Sequence, residues 1–217
     1  MSTRRSVVIA EFGGPQVMAL QAEDLPPPGD GEVQVRQTAV GFNFIDVYQR
    51  KGVYPLPLPT GLGFEAAGVV EEVGSGVVEL KAGDRIAYMN AGIGAYADQR
   101  NVRADKLVVL PGSVSDEAAT SLLFKGMTAQ YLLRKTHAVQ PGDLLLVHSA
   151  AGGVGQILTR WATALGATVI GTTGSPHKRG AALTAGCQAV VDLNDPDWPQ
   201  AFLVATGGRK ARVVYDA

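Results

Sequence analysis

Between the apolar run DLLLVHS (143–149) and the helical stretch GVGQILTRWATALG (153–166), Ala150, Gly152 and Gly155 stand at the spacing of G-x-G-x-x-G, with alanine in the first place. Small residues there let the main chain approach a pyrophosphate. The third permits close helix–strand packing, and the helix N-terminus offers free N–H groups to an anion. The cradle read this way is Ala151, Gly152, Gly153, Val154 and Gly155. A tight strand-to-helix turn with no ligand has the same spacing, but a strand before it and a helix after it favour a nucleotide. The next strand ends in VIGTTGSPHKRG (169–180). A site for NAD usually places Asp or Glu at that point, to bind the ribose 2′-hydroxyl. No acid occurs from Thr172 to Gly180, and Gly174, Ser175, Lys178 and Arg179 stand there instead. A hydroxyl and two cations suit a 2′-phosphate, so the expected cofactor is NADPH. The competing reading is a solvated basic helix start, although cations in a first turn oppose the helix dipole.

These residues need elements to hold them. After Pro141 the pattern alternates: strand 144–148, helix 153–165, strand 167–172, helix 176–185, strand 189–193, helix 197–206, strand 212–216. Alternation of this kind implies right-handed βαβ units on a parallel sheet. The first half differs. SVVIAEFG, EVQVRQTAVG, AAGVVEEVGSGV, DRIAYMN and KLVVLP are strand-length runs broken by Gly and Pro, which predict a β-rich domain. A helix with Ser115 as its N-cap follows in SDEAATSLLFKGMTAQYLLRKTHAV. The expected fold class is α/β: a β-rich domain over 1–125 and a doubly wound parallel-sheet domain over 126–217, of which four strands are present.

Composition narrows the function classes. The 217 residues are 46% hydrophobic, enough for a globular core, and the net charge of -1 carries no nucleic-acid or membrane footprint. A single cysteine, Cys187, makes neither an internal disulfide nor a cysteine-rich zinc site, and fits a reducing cytosolic compartment. His137, His148 and His177 have no metal-ligand spacing, so no metal site is expected.

GFNFIDVYQRKGVYP (41–55), GLGFEAAGVV (61–70), KAGDRIAY (81–88), LLFKGMTAQYLL (122–133) and AAGGVG with its flanks occur in that order. With these motifs the chain resembles the zinc-independent medium-chain dehydrogenases/reductases, and within them the NADPH:quinone oxidoreductases, the zeta-crystallin-like group. The resemblance runs through the whole chain, about two thirds of a usual member. It implies a GroES-like catalytic domain, a Rossmann domain after it, and the nicotinamide in the cleft between them. Residues matching Asn43, Tyr48 and Tyr54 line that cleft in the family. Thr128 matches the residue that meets the nicotinamide ribose and amide, and Lys125 and Gly126 share its motif. Zinc-dependent relatives carry a Cys ligand where this chain has Asn43 and a His ligand where it has Phe64. A tyrosine that often reaches the 2′-phosphate is matched by Leu193, which weakens the expected selectivity for NADPH. Without the family, core packing is the simpler reading of Tyr48 and Tyr54. Asp46 and Arg50 read as a structural i,i+4 pair, and Glu65 as structural.

The implied reaction is hydride transfer from NADPH to a quinone. Enones or enoyl thioesters are alternative acceptors. A non-catalytic NADPH-binding relative, crystallin-like, RNA-associated or truncated, is the alternative class. Family members generally form homodimers through sheet strands that this chain does not include. Residues 1–217 alone are therefore expected to bind NADPH poorly, and to aggregate or need a partner segment.

Overall fold

The computed structural model describes residues 2–216. The chain divides into two compact units, one ending at Phe124 and the other beginning at Lys125. In the first, β1 (Ser2–Ile9) pairs antiparallel with β2 (Met18–Leu25) along its whole length and with the short β4 (Thr60–Gly61). A second, five-stranded antiparallel sheet has the order β7-β3-β5-β6-β8, formed by β3 (Glu32–Gly41), β5 (Glu65–Val73), β6 (Arg85–Met89), β7 (Gln99–Arg103) and β8 (Val108–Val109). Val33, Val35, Ala66, Val70, Ile86, Tyr88 and Val102 form its core. Each large aliphatic side chain buried this way stabilises the fold by about 1.5–3 kcal/mol.

A short helix, α1 (Phe44–Lys51), follows β3 after two residues. It stops at Gly52, whose φ of 76° few other residues adopt at low cost. The Val53 N–H then bonds back to the Tyr48 carbonyl at 2.9 Å, which fixes where Tyr54 begins. At α2 (Asp116–Tyr131), Ser115 is the N-cap, its hydroxyl accepting the Ala118 N–H at 3.1 Å. The Thr38 hydroxyl and the Arg85 guanidinium hold the Asp116 carboxyl below the usual carboxylate range. Asp116 and Glu117 also sit where the helix dipole favours anions.

The second unit contains the expected alternation: β9 (Leu144–Val147), α3 (Gly153–Ala164), β10 (Thr168–Thr173), α4 (Arg179–Thr184), β11 (Ala189–Asp192), α5 (Trp198–Ala205) and β12 (Val213–Tyr215). The sheet is parallel, in the order β11-β10-β9-β12. All four residues of β9 are buried, as a strand covered on both faces requires. Leu145 and Val147 pack with Leu158 and Ala162 of α3, while Leu144 and Leu146 pack with Phe202 of α5. Helices on both faces of one parallel sheet make this a doubly wound unit. β12 lies at one edge of the sheet and Val214 is half exposed.

Candidate functional site

In the first unit the chemistry-bearing residues gather at the start of α1. Asn43 is the N-cap and is 4% exposed. Its backbone N–H donates to Asp46 Oδ2 at 2.9 Å, and the same oxygen accepts the Tyr96 hydroxyl at 2.7 Å. Asn43 and Asp46 together close a capping box, which satisfies donors that a helix start leaves open. The expected i,i+4 partner Arg50 is thus not what defines Asp46. Its carboxylate fixes the helix start to the loop that carries Tyr96. Burial, then the hydrogen bond to Asp46 and the charges of Asp46 and Glu65, push the Tyr96 phenol well above its ordinary value. The Asn43 amide donates through Nδ2 to Glu65 Oε1 at 2.8 Å, and Glu65 Oε2 accepts the Phe124 N–H at 3.0 Å. Glu65 and Tyr96 carry no signal in the local sequence. They lie 22 and 50 residues from their partners, Glu65 on β5 and Tyr96 on the loop before β7, and only the tertiary fold brings them there.

A row of rings begins at the first residue of α1. Phe44 and Tyr48 meet edge to face at 5.0 Å between centroids, and Tyr48 and Tyr54 at 5.4 Å. Phe44 is 63% exposed and Tyr54 54%, so core packing does not account for them. The i,i+4 spacing of Phe44 and Tyr48 is the sequence signal that would have added Phe44 to the expected set. Exposed rings of this kind form a wall on which a flat ligand can stack.

In the second unit the glycine turn opens α3. Gly152 is the N-cap and provides no side-chain hydrogen bond, so the first-turn N–H groups at Gly153, Val154 and Gly155 have no intrahelical acceptor. A Cβ on Gly155 would lie 2.4 Å from the Ser149 carbonyl oxygen and 2.8 Å from Ala150 Cα. One on Gly153 would meet the aliphatic chain of Lys125 at 2.9 Å. The FKGMTAQ stretch therefore lies against the turn, with Lys125 over Gly153 and Thr128 one helical turn further on, half buried in α2. Ala151 is half buried, and its carbonyl accepts Gln156 Nε2 at 2.9 Å. A pyrophosphate fits this cradle: uncapped N–H donors, no Cβ at Gly152, Gly153 or Gly155, and the positive end of the α3 dipole.

At the end of β10 the four expected residues differ in what they are free to do. The Gly174 carbonyl accepts Asn194 Nδ2 at 2.7 Å. The Ser175 hydroxyl lies 2.9 Å from His177 Nδ1. Arg179 donates through Nη1 to the Val190 carbonyl of β11. Lys178 is exposed. Leu193 is 41% exposed and offers no hydrogen bond to a phosphate.

Among the described residues no group of three or more His, Cys, Asp or Glu is placed to hold a metal ion. Phe64 packs edge to face on Phe124 at 5.4 Å. Each histidine has its own local partner: His137 with Asp143, His148 with Thr172, His177 with Ser175. Cys187 is buried beside Thr159, and burial pushes its thiol up, away from the reactive thiolate. No helix among the described residues is long and apolar enough to cross a membrane.

The family described as alcohol dehydrogenase GroES-like domain matches residues 29–141, and that described as zinc-binding dehydrogenase matches residues 153–217. Quinone oxidoreductase 1 of Escherichia coli K12 is 48% identical over 220 residues, which span 100% of this chain and 66% of that protein. The 2-haloacrylate reductase of a Burkholderia species is 42% identical, over 98% of this chain and 66% of that one. The crystal structure of the E. coli quinone oxidoreductase complexed with NADPH superposes with a TM-score of 0.92 at 47% identity, over 100% of this chain and 66% of that one. The chain thus spans just under two thirds of the length of these relatives.

Proposed function

This chain belongs to the NADPH:quinone oxidoreductase family of the medium-chain dehydrogenase/reductase superfamily, and from that premise we propose that it reduces quinones with NADPH, by hydride transfer and without zinc. The observation that carries the reading is the row of rings Phe44, Tyr48 and Tyr54, exposed at both ends and half buried at Tyr48, which runs along and just past a helix fixed by buried hydrogen bonds. A planar, electron-poor acceptor stacks on such a wall, and among the described residues no group of three or more His, Cys, Asp or Glu is placed to hold a metal ion that would polarise a carbonyl.

When bound, NADPH supplies the hydride. The N–H groups of Gly153, Val154 and Gly155 hold the pyrophosphate, with Ala151 and Gly152 leaving the approach open. Gly174 keeps the end of β10 clear, and Ser175 and Lys178 face the 2′-phosphate. Thr128 holds the nicotinamide ribose. The Tyr48 hydroxyl and the Asn43 amide donate to oxygen, where negative charge develops on the acceptor, and Tyr54 walls the acceptor ring. Solvent water supplies the proton.

A second acceptor class, the activated alkenes such as enones and enoyl thioesters, is favoured by the likeness to 2-haloacrylate reductase. NADPH oxidation followed with a simple quinone and with an enone separates the two. Failure with both would overturn the reductase reading in favour of a non-catalytic NADPH-binding protein. A chelator is expected to leave the rate unchanged.

Two variants test the residue roles. Lys178→Ala is expected to weaken NADPH by about tenfold or more while sparing NADH, because a cation facing a phosphate makes a charge-assisted contact. Arg179→Ala is expected to do much less, since its guanidinium already serves the Val190 carbonyl. Equal loss of both cofactors on Lys178→Ala would remove that lysine from the 2′-phosphate. Tyr54→Ala is expected to raise the quinone KM by about tenfold, the scale of one lost aromatic contact, with NADPH affinity unchanged. A fall in NADPH affinity with an unaltered KM would place Tyr54 on the cofactor side.

A further inference from the structure

Glu65 is fully buried; its Oε1 accepts a hydrogen bond from Asn43 Nδ2 at 2.8 Å and its Oε2 one from the Phe124 N–H at 3.0 Å. A carboxylate only accepts. The Asn43 amide must therefore turn its nitrogen towards Glu65 and its oxygen towards the first turn of α1, where the capping box closes. One Nδ2 hydrogen is left over. We propose that Glu65 is a positioning residue for Asn43, locking the amide so that an N–H donor, and not the carbonyl oxygen, is what Asn43 offers the nicotinamide or the acceptor oxygen. This rests on the reading of Asn43 as a site residue given above.

The end of β3 is shaped around that carboxylate. A Cβ on Gly41 would lie 2.3 Å from both Cγ and Oε1 of Glu65. Gly41 lies outside the left-handed region of φ, so space for Glu65, and not backbone freedom, is what calls for glycine there. The Phe124 N–H holds the carboxylate from the other side, on a helix. The Glu65 side chain is thus confined at both ends, as a residue that sets another's orientation must be.

Glu65→Gln tests the lock. A glutamine has one acceptor oxygen for two donors, so either the Phe124 N–H is orphaned or the Asn43 amide turns over. Misplacing a group at the reacting centre costs about 100-fold in rate, so kcat is expected to fall on that scale while the quinone KM holds. The exchange Asn43→Asp with Glu65→Gln separates positioning from packing. The oxygen of the introduced glutamine then accepts the Phe124 N–H and its nitrogen donates to the introduced aspartate, whose second oxygen caps α1. Net charge and both of these hydrogen bonds are kept, but no N–H faces the ligand. The exchange is expected to recover the unfolding temperature lost in Glu65→Gln while NADPH affinity and kcat stay at the level of the single variant. Recovery of kcat would overturn the proposal, as would a Glu65→Gln variant with wild-type kcat and NADPH affinity. If the exchange does not recover stability, Gly41→Ala keeps every donor and acceptor and only crowds the carboxylate. It is expected to lower kcat at least tenfold, and an unchanged kcat would overturn the proposal. An Asn43→Ala variant that turns over like wild type would remove Asn43 from the site and overturn the lock, leaving the reductase reading intact. A wild-type protein inactive on quinones and enones would overturn that reading, while the NADPH titrations and unfolding temperatures would still decide the lock.

Discussion

Gly155→Ala is expected to abolish measurable NADPH binding and to destabilise the second unit by about 1–3 kcal/mol, the scale of forcing a methyl group into a packed site. The reason is geometric. The added carbon would sit 2.4 Å from the Ser149 carbonyl oxygen and 2.8–2.9 Å from backbone atoms of Ala150. None of these is the end of a flexible side chain. Ser149 already holds a left-handed φ of 50°, and its carbonyl accepts the Gly152 N–H at 2.7 Å, so the turn has no slack. Relief requires α3 to move off β9, which carries the first-turn N–H groups away from where a pyrophosphate would lie. Gly180→Ala is the matched control. It lies in the first turn of α4 with nothing within 4 Å of the added carbon. That change is expected to be neutral or stabilising by about 0.4–1 kcal/mol, through the unfolded chain. NADPH titration by nicotinamide fluorescence, with thermal unfolding in parallel, checks both. A Gly155→Ala protein that binds NADPH like wild type would show that helix and strand do not need this approach.

The glycine turn was legible because its signal is local: small residues at fixed spacing, an apolar strand before, an amphipathic helix after. The same holds for the alternation from β9 to β12, where each element has its own period and punctuation, and for β3, which matches EVQVRQTAVG residue for residue. β2 and β7 were not legible. MALQAEDL is built of good helix formers and is exposed at seven of its eight positions, so propensity points to a helix, while the pairing that overrides it comes from β1. QRNVR has one aliphatic residue. Its strand is held from outside, by pairing with β3 and by buried Arg100, which donates to the carbonyls of Ala91 and Gly92 and lies over the Tyr88 ring at 5.5 Å. The candidate site divides in the same way. Asn43, Tyr48 and Tyr54 came from a motif in one stretch of chain, whereas Glu65 joins them through strand pairing and Tyr96 through a loop whose backbone bonds to Val7 and Leu62.

Asp46→Ala is expected to cost the first unit about 2–6 kcal/mol, although the residue reads in sequence as half of a structural i,i+4 pair. Asp46 is 3% exposed, and its Oδ2 satisfies two donors, the Asn43 N–H and the Tyr96 hydroxyl. Truncation leaves both in a buried site without that acceptor, and each orphaned donor costs about 1–3 kcal/mol. The damage also reaches the proposed substrate side. Asn43 starts α1, and α1 sets the spacing of Phe44 and Tyr48, so a frayed first turn loosens the amide and the aromatic wall together. Asp46→Asn keeps one acceptor oxygen and is expected to cost less, and Tyr96→Phe, which removes one donor with its partner left charged, less again than Asp46→Ala. Denaturant unfolding ranks the three. The phenol gives an independent readout: after burial, the hydrogen bond to Asp46 and the Asp46 charge are the next causes of its raised pKa. In Asp46→Ala the Tyr96 hydroxyl is therefore expected to ionise at lower pH than in the wild type, seen as an earlier rise in tyrosinate absorbance that a further Tyr96→Phe change abolishes. An unaltered tyrosinate curve together with wild-type stability would mean that Asp46 does not anchor α1, and that the aromatic wall owes its placement to the Gly52 end of the helix alone.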